Sequence, residues 1–342
     1  MASSVDSVAA ELTTPPSFVS ARGGAGAWGE RIVEWALLLA TLFSASVVIL
    51  VFVFVIREAL PAITHNGFSL VTSAGWDQQL PRAFHSNSWT FGMLELIAGT
   101  AFTTLGALIL TLFIGLASAI VLVEYAPVSV SRPLESAVRL LAGFPSVVFG
   151  LVGVAVLCPL IQQNLINDDL QNRYQFISTG QCLLAAIVVL TFMIMPFFVS
   201  VAVDSLRAVP QTYRLAGYAL GMPKWRVATR LVMPSASAGV LAGLVLAAAR
   251  GVGEAVAMAM VSGATAHIPA LSSGVFAFLE PVRTLAAGII ENGEASSNPQ
   301  ILSALYAAAT VILATSMTLS VLARLVSMGF QKRMRLMSER SA

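Results

Sequence analysis

Long runs of apolar residues alternate with shorter polar segments along this chain. Six of the runs are long enough to cross about 30 Å of hydrocarbon as helices, which takes roughly 20 residues each. They cover residues 35–56, 97–123, 134–161, 183–203, 236–262 and 301–326. Because a membrane admits only helices or closed barrels, this pattern predicts an all-α polytopic membrane protein with six transmembrane helices.

The other segments complete a division into four regions. We predict a disordered N-terminal tail at 1–30, a first helix with an outer loop at 31–90, a main membrane domain at 91–330 with a polar loop at 204–235, and a basic tail at 331–342. A polar stretch precedes the first long run, so no cleavable signal is expected. The weaker apolar stretch at 271–290 is interrupted by Glu280, Pro281 and Arg283, which predicts a re-entrant or interfacial hairpin.

The composition agrees with this pattern. Hydrophobic residues make up 57% of the chain and charged residues 11%, with a mean hydropathy of +0.84. The net charge of +2 comes from dispersed basic residues, so no nucleic-acid partner is expected. Cys158 and Cys182 are too few for a disulfide framework; we expect two apolar core residues, with a single bridge as the alternative. His65, His85 and His267 show no metal-site spacing, and no cofactor is expected.

Basic residues predict the orientation, since cytoplasmic loops carry an excess of Lys and Arg. Fourteen of the 19 fall on one side of the membrane, four fall on the other, and Arg250 lies inside the fifth span. The richer side holds Arg22, Arg31, Arg132, Arg139, Arg207, Arg214, Lys224, Arg226, Arg230, Arg324, Lys332, Arg333, Arg335 and Arg340. The other side holds Arg57, Arg82, Arg173 and Arg283. Both termini are therefore predicted to be cytoplasmic.

The fifth span carries two ionisable side chains near its midpoint, Arg250 and Glu254. An ionised side chain at a helix centre costs roughly 2.5–3.5 kcal/mol of insertion free energy, so the pair needs a reason. A spacing of four residues places both side chains on one face of a continuous helix. We interpret this face as the lining of a substrate path, and a self-neutralising structural ion pair is the alternative.

Helix breaks and small residues accompany the charged pair. Gly251 and Gly253 leave the backbone open to a ligand or a second helix. Gly143 and Pro145 break the third span, and such a break persists in a membrane only beside protein or water. All four are predicted to line the path. The fifth span also has a stripe of small residues, which is either a seam with a second subunit or packing within this chain: Gly239, Gly243, Ala247 and Gly251.

The polar loop at 204–235 is punctuated as two short helices. Pro210 starts the first, which ends near Gly221; Pro223 starts the second and Pro234 is expected to stop it. The pair is predicted to lie on the cytoplasmic face as a helix-turn-helix. Three of its side chains are expected to be available to a partner protein: Trp225, Arg226 and Arg230.

No catalytic chemistry is visible in the sequence. Neither Lys224 nor Lys332 lies in a G-x-x-x-x-G-K-[ST] pattern, so the chain has no phosphate-binding P-loop of that kind. A Ser/His/Asp arrangement is not apparent either. We therefore expect no enzymatic activity, and any driving energy must come from another subunit or an ion gradient.

At this loop the sequence resembles a known family. Leu215-Ala216-Gly217, three residues, Gly221, nine residues and then Leu231-Val232-Met233-Pro234 is similar to the coupling-loop motif of ABC importer permeases, EAA, three residues, Gly, nine residues, I-x-L-P. The motif's leading glutamate is Leu215 here, which shifts the expected docking role toward Arg214 and Trp225. More closely, about residues 91–330 resemble PstC-type permeases of phosphate-specific ABC importers. The segments that carry this likeness are 123–127, 143–150, 218–221, 250–254 and 283–295.

The resemblance implies a type I ABC importer permease fold in the bacterial plasma (inner) membrane. It implies four kinds of partner in addition to membrane lipids: a second permease subunit of PstA type, two ATP-binding subunits, an external phosphate-binding protein, and phosphate itself. It carries a role in phosphate passage onto Arg250 and Glu254. It also implies coupling to the ATP-binding subunits through residues 213–234, with seven candidate residues: Arg214, Leu215, Ala216, Gly217, Gly221, Trp225 and Pro234.

Three other functions remain compatible with the residues. The first is a permease for another oxyanion such as sulfate or molybdate. The second is a secondary transporter that uses Arg250 and Glu254 for ion coupling. No internal inverted repeat is apparent, which counts against the secondary transporter. The third alternative is a non-transport membrane scaffold in phosphate signalling.

Overall fold

The structure is a computed structural model that describes residues 26–166 and 179–340. Over these ranges the regular structure is helical, and an isolated bridge joins Gly263 to Val282. Most of the predicted tail at 1–30 lies outside the described residues, as do Arg22 and Arg173. The chain divides into two compact units, 1–54 and 55–342. In the first unit, the described residues form the N-terminal part of one helix with almost entirely exposed side chains from Ile32 onward.

Twelve α-helices occur in the described ranges. In chain order they are α1 (Gly26–Asn66), α2 (Ser69–Thr72), α3 (Trp76–Ser86), α4 (Leu94–Tyr125), α5 (Val128–Ala142), α6 (Ser146–Leu165), α7 (Leu183–Arg207), α8 (Gln211–Ala219), α9 (Lys224–Val252), α10 (Val256–Val261), α11 (Leu285–Glu291) and α12 (Pro299–Arg340). Short 3₁₀ helices cover Leu271–Leu279 and Gly293–Ser297. Six of the α-helices are long and apolar enough to cross a membrane, namely α1, α4, α6, α7, α9 and α12. The prediction of six spans in an all-α fold is therefore confirmed.

The first helix is longer than predicted, and the outer loop is largely helical. α1 continues ten residues past position 56 to Asn66, through Pro61, and α2 and α3 follow it. Proline within a helix disturbs the hydrogen bonding of the preceding turn. Here Ser303 of α12 repairs that turn, because its hydroxyl accepts from the Ala62 N–H at 3.0 Å and donates to the Glu58 carbonyl at 2.8 Å.

Two of the predicted spans are interrupted. The apolar run at 134–161 consists of α5 and α6, separated at Gly143–Pro145, and only α6 counts as a membrane span. The run at 236–262 consists of most of α9 followed by α10. The predicted break at Gly143 and Pro145 is therefore confirmed, whereas the prediction of one unbroken helix over 236–262 is wrong. In each case a glycine lies at the point where the helix ends.

Pro234 does not stop a helix. α9 runs from Lys224 to Val252 without interruption, and a π-helical turn at Ala228–Val232 precedes the proline. Proline cannot donate to the carbonyl one turn earlier, and a wider π turn just before it accommodates the ring. The first helix of the predicted pair is confirmed as α8. The second is the beginning of the transmembrane helix itself.

α7 forms the centre of the packed core. It contacts α4, α5 and α9, and most of its apolar side chains are buried. The small-residue stripe of α9 faces α7: an added Cβ at Gly239 would lie 2.5 Å from Ser205 Oγ, and one at Gly243 would lie 2.8 Å from Val201 Cγ1. Packing within the chain is confirmed as the reason for this stripe, and the seam with a second subunit is wrong for these positions.

The two ends of the helices in the 55–342 unit differ in character. We call the end at Tyr125, Arg207 and Lys224 the basic end; Lys224 Nζ lies 5.5 Å from the Tyr125 ring there. We call the opposite end, where α4, α7 and α12 begin, the far end. The far end is covered by α3, the 3₁₀ helix Leu271–Leu279 and α11. The interrupted stretch at 271–290 makes no full span, as predicted, but it folds into these short helices rather than a simple hairpin.

Both cysteines are buried and unpaired. Cys158 on α6 and Cys182 at the start of α7 belong to the apolar core around α7. The expectation of two core residues is confirmed, and the alternative of a bridge is wrong in this structure.

Candidate functional site

Arg250 lies near the end of α9 with an exposed side chain. Its guanidinium carbon is 6.0 Å from the ring centroid of Phe197 on α7, at the outer limit of a cation–π attraction. Within the described part of the chain, Arg250 forms no ion pair and no side-chain hydrogen bond. Its five N–H donors are therefore available to a group outside the described residues.

Glu254 lies in a break rather than on the helix. α9 ends at Val252, and residues Gly253, Glu254 and Ala255 precede α10. The Glu254 N–H donates to the Gly251 carbonyl at 3.2 Å, so the chain leaves the helix through a tight turn. The prediction that Arg250 and Glu254 share one face of a continuous helix is wrong, because the helix ends between them. The two side chains also form no ion pair with each other in the described residues, so the self-neutralising pair is not observed.

The two glycines of this segment have different surroundings. Gly251 is buried, and an added Cβ would lie 3.6 Å from both Leu190 of α7 and Thr104 of α4. Gly253 is exposed, and the nearest atom to an added Cβ is the Arg250 carbonyl oxygen at 3.7 Å. Gly251 therefore packs against two neighbouring helices with room for a methyl group, whereas the backbone at Gly253 is open to an approaching group.

The other break lies between α5 and α6, nearer the basic end. Gly143 and Pro145 are exposed between α5 and α6. Arg139 of α5 pairs with Asp204 of α7 at 3.3 Å, and α5 runs back along α7 from there. Gly143 follows Arg139 by four residues, so it lies about 6 Å further from the basic end.

The helices that follow the two breaks pack against each other. An added Cβ at Gly150 of α6 would lie 3.0 Å from the Ala257 Cα and 2.8 Å from the Met260 Sδ of α10. The structure thus joins the segment after Gly143–Pro145 to the segment after Glu254. The predicted path residues lie at the end of α9 or in the two breaks, at 143–145 and 253–255. Whether a substrate passes along these segments stays a prediction.

α8 is terminated by a complete Schellman motif. Gly221 has φ +72°, the Met222 N–H donates to the Gly217 carbonyl at 3.1 Å, and the Gly221 N–H donates to the Tyr218 carbonyl at 2.9 Å. Gly217 has a second role, since an added Cβ there would lie 2.8 Å from Leu231 and 2.9 Å from Val227 of α9. These two glycines therefore fold α8 back onto the start of α9.

Arg214 is buried, although the sequence predicts a docking role for it. Its Nε and Nη2 donate to Glu124 Oε1 at 3.0 and 2.8 Å. Its Nη1 donates to the Val209 carbonyl at 2.7 Å, and Nη2 donates to the Leu206 carbonyl at 3.0 Å. Both charged residues are only 8% exposed. The guanidinium is thus occupied inside the chain.

The outward surface at this end carries several large apolar and aromatic side chains instead. Leu220 is 82% exposed and Leu215 is 64% exposed, and Trp225 is also exposed, with the Arg226 guanidinium carbon 5.3 Å from its ring centroid. We call these side chains, together with Tyr213 and Tyr218, the docking face. Ala216 is exposed beside them, whereas Pro234 lies further along α9.

A second charged cluster lies at the far end. Arg283 pairs with Asp77 of α3, with Glu291 at the end of α11 (Nε to Oε2, 2.6 Å), and with the Ala264 carbonyl. Asp77 also accepts from the Ala266 N–H at 2.9 Å. Burial raises the pKa of the Glu291 carboxyl above its ordinary value, while the adjacent Arg283 guanidinium opposes that shift. The cluster ties three separate segments into one cap.

Sequence reasoning gave no role to several residues of these sites. The approach of Phe197 to Arg250 and of Glu124 to Arg214 joins positions far apart in the chain, so no spacing in the sequence indicates either contact. For Glu124 a signal was present: it is an acid in the last turn of an apolar span, where an unpaired charge is costly. Asp77 lies in a segment predicted as a loop, and no signal in the sequence indicated its contact with Arg283.

Comparison with known proteins places these features in a family. Residues 111–335 match the model of the family described as binding-protein-dependent transport system inner membrane component. A probable ABC transporter permease of Bacillus subtilis, YqgH, is 30% identical over 302 residues, which cover 87% of this chain and 90% of the relative. The phosphate transport system permease PstC of Mesorhizobium japonicum is 31% identical over 281 residues, 80% and 82% of the two chains. PstC 2 of Mycobacterium tuberculosis is 27% identical over 327 residues, 93% and 98% of the two chains.

Proposed function

Because this chain belongs to the family of binding-protein-dependent transport system inner membrane components, we propose that it forms one half of an ATP-driven channel for inorganic phosphate. The names of several relatives support phosphate as the substrate, since they are phosphate transport permeases matched over most of both chains. The expected resemblance to ABC importer permeases is confirmed at the level of the family.

One observation carries the proposal: Arg250 is exposed and unpaired, within the described residues, on a helix long and apolar enough to span a membrane. A charged side chain in a span faces a bundle interior or a water-filled cavity, because contact with lipid is costly. The described residues of this chain leave Arg250 exposed. The path therefore lies along the outer side of α9, where a second permease subunit completes it.

The chemistry of the site suits phosphate. The planar guanidinium of Arg250 binds two oxygens of an oxyanion at once. Glu254 is half-buried one turn of chain away and, when ionised, accepts a hydrogen bond. Protonated phosphate donates such a bond, whereas sulfate at neutral pH does not. Glu254 thus favours phosphate over sulfate in the path, while an external phosphate-binding protein performs the main selection.

The docking face is the surface to which ATP-binding subunits attach. It projects from the basic end, which the excess of Lys and Arg assigns to the cytoplasm, together with both termini. One ATP-binding subunit contacts residues 213–234 of this chain, and a second contacts the corresponding loop of a PstA-type partner. Their closure on ATP moves the loops and exposes the path alternately to the two sides of the membrane.

Phosphate uptake by reconstituted complexes tests this assignment. The complex with the second permease, the ATP-binding subunits and the binding protein is placed in liposomes, and uptake of radiolabelled phosphate is measured with ATP inside. Arg250→Gln is expected to lower uptake by at least tenfold, because a charge-assisted contact to the anion is worth about 1.5–3 kcal/mol. Arg139→Gln, which breaks an exposed ion pair at the basic end, is the control and keeps normal uptake.

The result that contradicts the proposal is normal phosphate uptake by an Arg250→Gln complex of normal composition. Uptake of sulfate or molybdate in preference to phosphate by the unmodified complex identifies another oxyanion as the substrate. Glu254→Gln separates the two anions, since it is expected to slow phosphate more than sulfate.

A further inference from the structure

Arg214 is the most heavily bonded buried charge at the basic end. Its guanidinium bonds to the Glu124 carboxylate on α4 and to the Leu206 and Val209 carbonyls at the end of α7. One side chain of α8 therefore holds the ends of two different spans. A buried pair of this kind, with further hydrogen bonds to backbone carbonyls, fixes geometry far better than an exposed ion pair does.

Both of these spans reach the segment of α9 that holds Arg250. α4 packs there against Gly251, the residue after Arg250, since the Thr104 methyl group would lie 3.6 Å from a Cβ at Gly251. α7 reaches Arg250 through Phe197, whose ring lies 6.0 Å from the guanidinium carbon. Two continuous helices, α4 and α7, thus run from the contacts of Arg214 to the segment of α9 that holds Arg250.

Direct docking of a partner by Arg214 does not agree with this geometry. The residue is 8% exposed, and each nitrogen of its guanidinium group already donates a hydrogen bond inside the chain. The large side chains that face outward on α8 are apolar or aromatic, such as Leu215 and Tyr218. A subunit that moves α8 therefore pushes on the docking face, and Arg214 lies on the inner side of the same helix.

We propose that the buried Arg214–Glu124 pair is the internal link that carries movement of α8 to Arg250, so that both residues are positioning residues for transport. This inference rests on the proposed function. When ATP-binding subunits shift α8, the pair holds α4 and α7 to it, and both spans move together with the loop. Without the pair, α8 is still joined to α7 by residues 208–210 and still packs on α9, but its side chain no longer fixes the ends of α4 and α7. The two spans then no longer follow the loop together, and ATP hydrolysis no longer changes access to Arg250.

The test compares transport with ATP consumption in the reconstituted complex. Arg214→Lys and Glu124→Gln are the variants, because each keeps most of the side-chain volume and so permits folding. We expect basal ATP hydrolysis to persist while phosphate moved per ATP falls by roughly 5- to 150-fold, the usual range for coupling between sites. Arg207→Gln is the matched control: it breaks the exposed bidentate pair with Glu135 at the same end of α7 and leaves the ratio unchanged.

A second readout does not depend on the substrate. Gly253→Cys reports access to the path, because Gly253 is exposed, an added Cβ meets no atom closer than 3.7 Å, and Cys158 and Cys182 are buried. In an otherwise unmodified complex, trapping ATP is expected to change the rate of alkylation of this cysteine by at least fivefold. In Arg214→Lys or Glu124→Gln complexes the rate is expected to be independent of ATP.

The two proposals fail in different ways. Unchanged transport per ATP and ATP-dependent alkylation in both variants overturn the role of the pair. Suppose instead that the unmodified complex takes up no phosphate, while its alkylation depends on ATP and the variants abolish that dependence. Phosphate is then not the substrate, and the role of the Arg214–Glu124 pair stands. If a variant does not assemble, the other decides, because the loss of either partner breaks the same link.

Discussion

The ring of Phe197 on α7 lies beside the guanidinium group of Arg250 on α9, with 6.0 Å between the ring centroid and the guanidinium carbon. The two residues are separated by more than fifty positions, and the glycine stripe of α9 brings their helices together. The aromatic face attracts the cation and so orients it where no carboxylate of the described chain does.

Replacement of Phe197 should therefore leave the Arg250 side chain in place but less well oriented toward the anion. We expect Phe197→Leu to raise the phosphate concentration for half-maximal uptake about two- to fivefold, which corresponds to roughly 0.5–1 kcal/mol for an exposed cation–π contact. Phe192→Leu is the control, since Phe192 is on the same helix but lines an apolar groove of about 430 Å³. Equal behaviour of the two variants in liposome uptake would show that the ring does not orient Arg250.

The packing of Gly243 makes a prediction about the isolated subunit. Gly243→Val places new atoms within 2.8 Å of Val201 and is expected to lower the free energy of unfolding by about 1–3 kcal/mol. Gly253→Val enters open space and should have little effect. Thermal unfolding of the purified subunit in mild detergent measures both. If Gly243→Val weakens only the complex with a second permease and not the subunit alone, the stripe is a seam after all.

The raised pKa of Glu291 predicts how the far-end cap responds to pH. Its ordinary pKa is 4.5, and burial raises the value in the folded protein, so folding favours the protonated form. The corresponding stability is present below pH 4.5 and is lost as the pH rises through the raised pKa. Glu291→Gln should therefore remove this pH-dependent part of the stability. The melting temperature of the variant should then fall less steeply as the pH rises.

Glu294→Gln provides the matched control for the pH experiment, because Glu294 lies three residues away and is exposed. The groups that face Glu291, namely Asp77 and Arg283, are the same in both variants. Melting temperatures between pH 4 and pH 8 in detergent give the two slopes. A Glu291→Gln slope that equals the Glu294→Gln slope contradicts the assignment.

The docking face predicts where ATP-binding subunits attach. Leu220→Asp places a charge at a position that is 82% exposed and should prevent co-purification of those subunits in mild detergent. Phe68→Asp makes the same change at a position 81% exposed at the far end and should leave co-purification intact. Trp225→Ala is expected to weaken attachment by about 2 kcal/mol, as for a central aromatic contact. Normal recovery of the ATP-binding subunits with Leu220→Asp would exclude this surface.

Sequence reasoning performed well where one local rule decides the outcome. The six spans, the start of α8 after Pro210 and the turn at Gly221 all follow from apolar length or from the backbone preferences of proline and glycine. It failed at Pro234, where a π turn and tertiary packing allow a helix to continue, and at Gly253, where a helix ends although apolar residues continue.

The candidate site shows the same division. Arg250 and Glu254 were identified from the cost of charge in an apolar run, which is a property of the sequence alone. Their relative placement was not, because it depends on the end of α9 at Val252 and on contacts with α4 and α7. Arg214 was identified as important, but its partner Glu124 lies 90 positions away, and only folding shows that the guanidinium points inward.

The sequence by itself determined that this protein is a helical membrane protein with six spans, two charged residues in the fifth apolar run and a loop of the ABC importer type. Apolar run length, charge cost and turn preferences are local, so they can be read directly from the order of residues. Only the tertiary structure decided that α9 stops between the two charges, that the glycine stripe packs against α7, and that Arg214 joins α4 to α7. Those outcomes depend on which distant side chains meet, and such contacts are set by the packing of whole helices rather than by any single segment.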